Sequence, residues 1–353
     1  MPSAEVRSAS VKRKLSHYKQ LTSQLSKRKI MSNKVVLHYV PDYDAGKAEA
    51  GFGPELFAGR PDRYRPALAQ LAAAIAAVSC DRVGRPGEAR YLAPALAEDL
   101  QMQDISLYSY NRCAYDKTKV KTEKLGRNQQ AFAFSLSHRL MQGENEEFEL
   151  ILITLRGTET VSESLIHDFW GTVGNLRAEN WHGYPTYRPF VLFAKKVLTG
   201  LSRYLKRYEK NWQGRKLKYL IIGYSLGGAA AQLISARLTD FGQTVFAYTF
   251  GSLNALTEDG RNRYPNIWNI FNAYDSYGPE GFGALGFRPA GGRRTMYHKF
   301  GHVLVFRRDY TKVFPRWAAV KNHRMPGYYH AVKAINAGLR KSSSYRSDKR
   351  SFA

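Results

Sequence analysis

The segment Gly223-Tyr224-Ser225-Leu226-Gly227 has the residue types of a serine nucleophile held in a sharp turn. The apolar run LKYLII comes directly before it, and the helix-forming run AAAQLISARL follows after Gly228. Strand, tight turn and helix in this order are the context of a nucleophile elbow, in which glycines permit a strained turn and the serine hydroxyl stays accessible. A Gly- and Ser-rich turn without chemistry is the alternative. The context favours Ser225 as a nucleophile.

A serine nucleophile needs a base and an acidic group that orients the base. In this architecture both partners follow the serine in the chain, the acid first. Asp275 comes just after the predicted strand IWNIF and is the natural acid, although a turn-forming role in Asp-Ser-Tyr-Gly is the alternative. Glu258 and Asp259 lie in a polar loop and are expected at the surface.

Four histidines follow the acid and compete for the role of base: His298, His302, His323 and His330. His302 opens a predicted strand, His298 lies in a basic loop, and His330 falls inside a predicted helix. His323 lies after the last predicted strand and just before that helix, where a loop can bring an imidazole to the serine. The sequence favours His323 and leaves His330 and His302 as alternatives.

An acyl-transfer site also needs donors for the oxyanion. The backbone N–H of Leu226, the residue after the nucleophile, is the first expected donor. The segment Arg156-Gly157-Thr158 directly follows the apolar run FELILITL, so Thr158 is the second expected donor. A simple strand-ending turn is the alternative at Thr158.

The elements that must position these residues alternate between strand and helix. The predicted strands are Ala131–Ser137, Phe148–Leu155, Leu217–Ile222, Thr244–Phe250, Ile267–Phe271 and Val303–Phe306. The predicted helices are Ala67–Val78, Tyr91–Leu100, Phe190–Tyr208, Ala229–Leu238 and the segment 328–339. This alternation predicts an α/β fold with a mostly parallel sheet and helices on both faces. Ligands of such sheets bind beyond the carboxyl ends of the strands.

Charge is concentrated at the two ends of the 353-residue chain, whose formal net charge is +25. Residues 1–34 carry +8, residues 291–353 carry +13, and residues 35–290 carry only +4. Such an excess first suggests nucleic acid, but it avoids the centre and accompanies no RNA-binding aromatic motif or zinc-finger spacing. Basic ends of this kind are most often solvated tails; attraction to an anionic membrane surface is the functional alternative, and nucleic acid is not favoured.

The pattern divides the chain into a basic N-terminal extension over 1–45, helical or disordered, a catalytic domain over 46–338 and a basic tail over 339–353. Two cysteines exclude a disulfide framework and an all-cysteine metal cluster. We expect no cofactor and no metal. No conventional signal peptide is apparent, which predicts a cytoplasmic protein or an unconventional export route.

With these residues in place, the chain resembles the class 3 lipases, which include the filamentous-fungal triacylglycerol lipases. The elbow GYSLGG is similar to the family's GHSLGG, with Tyr224 where His is usual, and LITLRGT resembles the strand that ends in Phe-Arg-Gly-Thr/Ser. WHGYPTY resembles the His-x-Gly-Phe segment, and TFGSLNA resembles Thr-Phe-Gly-x-Pro-Arg, with Leu253 in place of Pro. The segments NIFNAYDSYG and HRMPGYYHAV resemble those that carry the catalytic Asp and His.

This resemblance implies an α/β-hydrolase fold and assigns Ser225, Asp275 and His323 to a catalytic triad, with Thr158 and Leu226 at the oxyanion. It also implies a lid near residues 159–173, whose apolar residues would cover the serine in water; a simple packed helix is the alternative. The implied function is a serine ester hydrolase acting on lipids, a lipase or phospholipase. A retired hydrolase fold that binds membranes or nucleic acid is the alternative.

Overall fold

A computed structural model of the chain describes residues 33–39, 46–80, 89–110, 115–123, 132–144, 146–157, 178–212, 214–256, 260–261, 263–275, 298–307 and 322–346. The strands in these ranges are β1 (Asn33–Tyr39), β2 (Gly46–Phe52), β3 (Gln103–Tyr108), β4 (Val120–Glu123), β5 (Phe134–Gln142), β6 (Glu147–Leu155), β7 (Ala178–Trp181), β8 (Tyr184–Tyr187), β9 (Lys216–Tyr224), β10 (Thr244–Phe250), β11 (Gly260–Arg261), β12 (Ile267–Asn272) and β13 (Phe300–Phe306). The α-helices are α1 (Pro66–Ser79), α2 (Leu92–Pro94), α3 (Arg188–Arg207), α4 (Glu209–Trp212), α5 (Leu226–Asp240) and α6 (Met325–Arg346). A 3-10 turn covers Pro54–Phe57, and a π-helical turn, Ala95–Asp99, continues α2.

Nine of these strands form one sheet in the order β11-β13-β12-β10-β9-β6-β5-β3-β4. From β6 to β11 the neighbours pair in parallel, whereas β5 is antiparallel to both β6 and β3. The strands β6, β9, β10, β12 and β13 therefore end at the same edge of the sheet. The predicted α/β-hydrolase fold, with a mostly parallel central sheet, is confirmed.

Both faces of the sheet are covered, because successive side chains of a strand point to opposite faces. In β9, Leu220 and Ile222 pack into the core that contains α1 and α6, while Tyr219 and Ile221 pack into the core beneath α3 and α5. Strands that are buried on both faces are typical of parallel sheets covered by helices. No helix among the described residues is both long enough and apolar enough to cross a membrane.

The folded body begins earlier and ends later than the sequence pattern indicates. β1 pairs antiparallel with β2 from Asn33↔Phe52 to Tyr39↔Gly46, and Val35, Leu37 and Tyr39 are buried in the core. The boundary at residue 45 therefore falls inside a hairpin, which the basic residues before it obscured. At the other end, α6 continues through Arg346, beyond the expected start of the tail at residue 339.

A buried imidazole links β5 to its two neighbours, away from the carboxyl edge of the sheet. The Nδ1 of His138 lies 2.6 Å from Oε1 of Glu149, and its Nε2 lies 3.0 Å from Oδ2 of Asp104. Arg215 approaches the other Glu149 oxygen at 3.6 Å, and the Trp212 ring packs edge-on against the imidazole. Burial lowers the pKa of His138, but the hydrogen bonds to the two carboxylates outweigh it, so this pKa lies above its usual value.

Replacing this imidazole (His138→Gln) removes a cation that bridges two carboxylates, and we expect the free energy of unfolding at pH 6 to fall by about 2 kcal/mol. Because the folded-state pKa is raised, the stabilisation is complete below the unfolded value of about 6.5 and is lost as the pH rises through the folded value. Urea unfolding should therefore give a larger gap between wild type and variant at pH 6 than at pH 9. His302→Gln is the control, because the imidazole of His302 stacks on Trp268. If the difference in unfolding free energy between wild type and His138→Gln did not change with pH, the raised pKa of His138 would be contradicted.

Candidate active site

Ser225 occupies a strained turn between β9 and α5. Its backbone has φ 52° and ψ −120°, a conformation that non-glycine residues rarely adopt and that costs about 1–3 kcal/mol. The Ser225 N–H donates to the carbonyl oxygen of Phe250 on β10 at 3.0 Å, and its own carbonyl accepts from the N–H of Gly228 at 3.0 Å. These contacts hold the turn in a single conformation.

Close packing of α5 on the end of β6 explains the glycine after Leu226. A Cβ added to Gly227 would lie 2.5 Å from the carbonyl oxygen of Leu155 and 2.6 Å from that of Arg156. No side chain fits at this distance, because real Cβ atoms essentially never come that close. The elbow therefore brings the first turn of α5 against the segment that precedes Thr158.

His323 and Asp275 lie beside Ser225 in one hydrogen-bonded chain. The Nε2 of His323 is 2.8 Å from Oγ of Ser225, and its Nδ1 is 2.7 Å from Oδ2 of Asp275. A carboxylate only accepts hydrogen bonds, so Nδ1 carries the proton, and in neutral imidazole Nε2 then accepts from the serine hydroxyl. All three side chains are buried, with Ser225 the most accessible at 8%.

The three residues come from distant parts of the chain and meet because their strands end together. Ser225 follows β9, Asp275 follows β12, and His323 lies two residues before α6. A hydrogen bond from the Asp275 N–H to the Asn272 carbonyl, 2.9 Å long, forms the turn after β12. The sequence pattern predicted this meeting point at the carboxyl edge.

Tyr328, on the first turns of α6, also binds the carboxylate, and sequence reasoning did not find it. Its hydroxyl donates to Oδ2 of Asp275 at 2.5 Å and accepts from the N–H of Asn272 at 3.3 Å. Burial and the nearby negative charge of Asp275 raise the pKa of Tyr328 well above its ordinary value. The phenol therefore stays protonated and acts as a donor. The sequence offered one signal for Tyr328, namely its position shortly after His323 at the start of a predicted helix.

A buried lysine lies near the same carboxylate. Nζ of Lys299 donates to the Ser252 carbonyl and lies 4.4 Å from the centre of the Phe271 ring. Burial lowers the pKa of Lys299 well below its ordinary value, and the negative charge of Asp275 opposes this shift. Lys299 was not singled out by its sequence context, because a basic loop gives no indication of burial.

The other three histidines do not bind Ser225 in the structure. His302 stacks on Trp268, with ring centres 4.4 Å apart. The backbone of His298 pairs with Leu256, and Nε2 of His330 lies 3.4 Å from the hydroxyl of Tyr39. Of the four candidates, the structure brings His323 to the serine.

Of the two expected oxyanion donors, only Leu226 lies within the described residues. Leu226 is the first residue of α5, and the first N–H groups of a helix have no partner within it. A Cβ added to Gly157 would lie 3.1 Å from Cβ of Ser225, so the residue before Thr158 lies directly beside the Ser225 side chain. Thr158 itself, the expected lid at 159–173 and the alternative acids Glu258 and Asp259 lie outside the described residues.

In this arrangement Nε2 of His323 is placed to accept the proton of the Ser225 hydroxyl, and the Asp275 carboxylate is placed to orient the imidazole. Within the described ranges, no group of three or more His, Cys, Asp and Glu side chains is placed to hold a metal ion. The fold defines an α/β-hydrolase domain, and the carboxyl edge of its sheet carries a serine, a histidine and a carboxylate in one hydrogen-bonded chain.

Residues 152–275 match the family described as lipase (class 3), and the predicted resemblance is confirmed over this segment. The segment contains Ser225 and ends at Asp275, whereas His323 lies outside it. A comparison with curated proteins found no match.

Solved lipases are similar to parts of the chain. The native Rhizomucor miehei lipase in its propeptide complex is 20% identical, with 44% of this chain and 50% of that chain covered and a TM-score of 0.29. The Rhizopus microsporus var. chinensis lipase is 17% identical (45% and 55% covered, TM-score 0.33), and Yarrowia lipolytica Lip2 lipase is 13% identical (48% and 61%, TM-score 0.32). The chain thus spans about half to three fifths of the length of these lipases.

Gly251, which has a positive φ of 51°, allows a test of how closely the backbone packs against His323 and Asp275. In Gly251→Ala the new Cβ would lie 3.1 Å from Cε1 of His323 and 3.1 Å from Oδ2 of Asp275. Gly242→Ala is the matched control, because Gly242 has φ 71° but nothing within 4 Å of the added atom. We expect the control to lose about 1 kcal/mol of unfolding free energy and Gly251→Ala about 2–4 kcal/mol, measured by urea unfolding. Equal losses would show that the site tolerates the methyl group.

Proposed function

We propose that the protein is a serine ester hydrolase that acts on lipids. The hydrogen-bonded chain from Ser225 through His323 to Asp275, at the carboxyl edge of an α/β-hydrolase sheet, is the observation that supports this most strongly. The class 3 lipase match over residues 152–275 supports a lipid ester as substrate.

In the proposed reaction, Oγ of Ser225 attacks the ester carbonyl carbon while Nε2 of His323 takes the hydroxyl proton. The carbonyl oxygen becomes an oxyanion, which the N–H groups of Leu226 and Thr158 bind. As the ester C–O bond breaks, His323 gives its proton to the departing alcohol and the acyl group remains on Ser225. Water then attacks the acyl-enzyme by the same steps, and the carboxylic acid leaves. Asp275 orients His323 and stabilises the imidazolium throughout.

The nucleophile can be tested by labelling the full-length protein with a fluorophosphonate probe. We expect wild type to label and Ser225→Ala to lose labelling and to lose esterase activity by about 10³-fold or more, because the nucleophile is gone. Ser235→Ala is the matched control, since Ser235 is a buried serine of α5 that hydrogen-bonds to the Ala231 carbonyl.

Equal labelling of wild type and Ser225→Ala would contradict the proposal. Absence of esterase activity, combined with nucleic-acid binding at physiological salt, would favour a retired scaffold instead. A series of esters of rising acyl length then separates an esterase from a lipase.

We further propose that the substrate lies in an anionic lipid surface, so that phospholipid bilayers are preferred to neutral fat. The support is the distribution of charge, with +8 on residues 1–34 and +13 on residues 291–353. Each Lys or Arg near an anionic membrane contributes about 1 kcal/mol of attraction. His323 lies within the second basic stretch, which would bring that stretch and the site to the same surface.

Vesicles of defined composition test this preference. We expect hydrolysis to be faster on bilayers that contain anionic phospholipid than on purely zwitterionic ones, and the difference to shrink as salt rises from about 0.05 to about 0.5 M, because exposed charges are screened. Hydrolysis of a soluble short-chain ester in the same buffers is the control for effects of salt on the chemistry. Equal rates on both bilayers at low salt would reject the preference.

A further inference from the structure

Tyr224 is the last residue of β9 and the immediate neighbour of the proposed nucleophile. Its side chain is buried, and its hydroxyl donates a hydrogen bond to the backbone carbonyl oxygen of His323. The two rings lie close together, with centres 5.1 Å apart and planes tilted by 33°. The phenol hydroxyl thus hydrogen-bonds to the backbone carbonyl of the proposed base, whereas the ring nitrogens of His323 bond to Asp275 and Ser225.

The backbone contact supplies a constraint that the side-chain contacts of His323 do not. Hydrogen bonds at Nδ1 and Nε2 fix the imidazole relative to Asp275 and Ser225, but the backbone can still move if the side-chain torsions compensate. A bond to the carbonyl oxygen restrains that movement. These hydrogen bonds hold both the ring and the backbone of His323.

The Tyr224 ring is itself confined on its other side. A Cβ added to Gly157 would lie 2.6 Å from Cδ1 and 2.9 Å from Cε1 of Tyr224, so the ring packs directly against the Gly157 backbone. Gly157 belongs to the turn that leads to the proposed oxyanion donor Thr158. Tyr224 therefore lies between the oxyanion turn and the segment that carries the base.

We propose that Tyr224 is a positioning residue for the reaction described above, an inference that rests on the proposed function. Its hydroxyl fixes the backbone of His323, and because Tyr224 and Ser225 share a peptide bond, it thereby fixes the approach of Nε2 to the serine oxygen. The distance from Oγ of Ser225 to Nε2 of His323 then depends on the end of β9, where Tyr224 and Ser225 are adjacent, and not on two loops that are placed independently.

The test compares two full-length variants that each lose one buried phenol hydroxyl and keep the ring. Tyr224→Phe removes the bond to His323, and Tyr248→Phe is the matched control on the neighbouring strand β10, where the ring packs near Tyr64. With a soluble p-nitrophenyl ester, we expect Tyr224→Phe to lower kcat by about 10- to 100-fold with KM changed less than about threefold, since displacement of a catalytic group by about 1 Å can cost about 100-fold. The fluorophosphonate labelling rate should fall in parallel, while the control stays within about twofold of wild type.

The urea midpoint of each variant separates positioning from folding. A Tyr224→Phe variant that keeps kcat within twofold of wild type, or whose loss equals its loss of folded fraction, overturns the inference. Ser225→Ala in the same assay makes the two failures distinguishable: if it is inactive while Tyr224→Phe is fully active, only the positioning role fails, and if it stays active, both proposals fail. Should Tyr224→Phe not fold, Tyr224→3-fluorotyrosine keeps the hydroxyl and must retain kcat within about threefold; a folded protein with a larger loss overturns the inference.

Discussion

The strained backbone at Ser225 is the constraint on which the rest of the site depends. Its positive φ is maintained because β9 and β10 pair in parallel up to Phe250, whose carbonyl then receives the Ser225 N–H. On the other side, the close approach of Gly227 to the Leu155 carbonyl holds α5 against β6. Three strands and one helix thus stabilise a conformation that would cost about 1–3 kcal/mol by itself, and the serine side chain points toward the histidine as a result.

Burial gives the remaining contacts their strength. Oδ2 of Asp275 accepts from both His323 and Tyr328, and Lys299 is buried nearby. In a site of low dielectric constant such hydrogen bonds are stronger than in water, and an unpaired member would be costly. The two donors on one oxygen therefore hold the carboxylate in a single orientation and leave the imidazole little freedom to turn.

The sequence predicted those parts of the fold whose pattern is local. α1, β6, β9 and β10 lie within two residues of their predicted bounds, because their apolar runs are continuous and end at polar or glycine residues. The β1–β2 hairpin was missed, because the apolar part of β1 is short, from Val35 to Tyr39, and directly follows a basic segment. The sequence placed Tyr224 in the elbow and Tyr328 at the start of a predicted helix, but it did not reveal their partners, since a hydrogen bond to a distant carbonyl or carboxylate leaves no local pattern.

The net charge is distributed unevenly along the chain. At the surface of the described body, basic side chains pair with acidic ones, as in Lys195–Glu179, Arg207–Glu123 and Arg215–Glu147. Residues 35–290 accordingly carry only +4, whereas the excess of +8 and +13 lies on the two ends. Exposed charges are screened over about 10 Å at 0.1 M salt, while the buried chain from Ser225 to Asp275 is shielded from such screening. Under the proposal that the protein binds an anionic surface, ionic strength therefore changes the frequency of encounter with that surface and leaves the hydrogen bonds of the buried side chains largely unaffected.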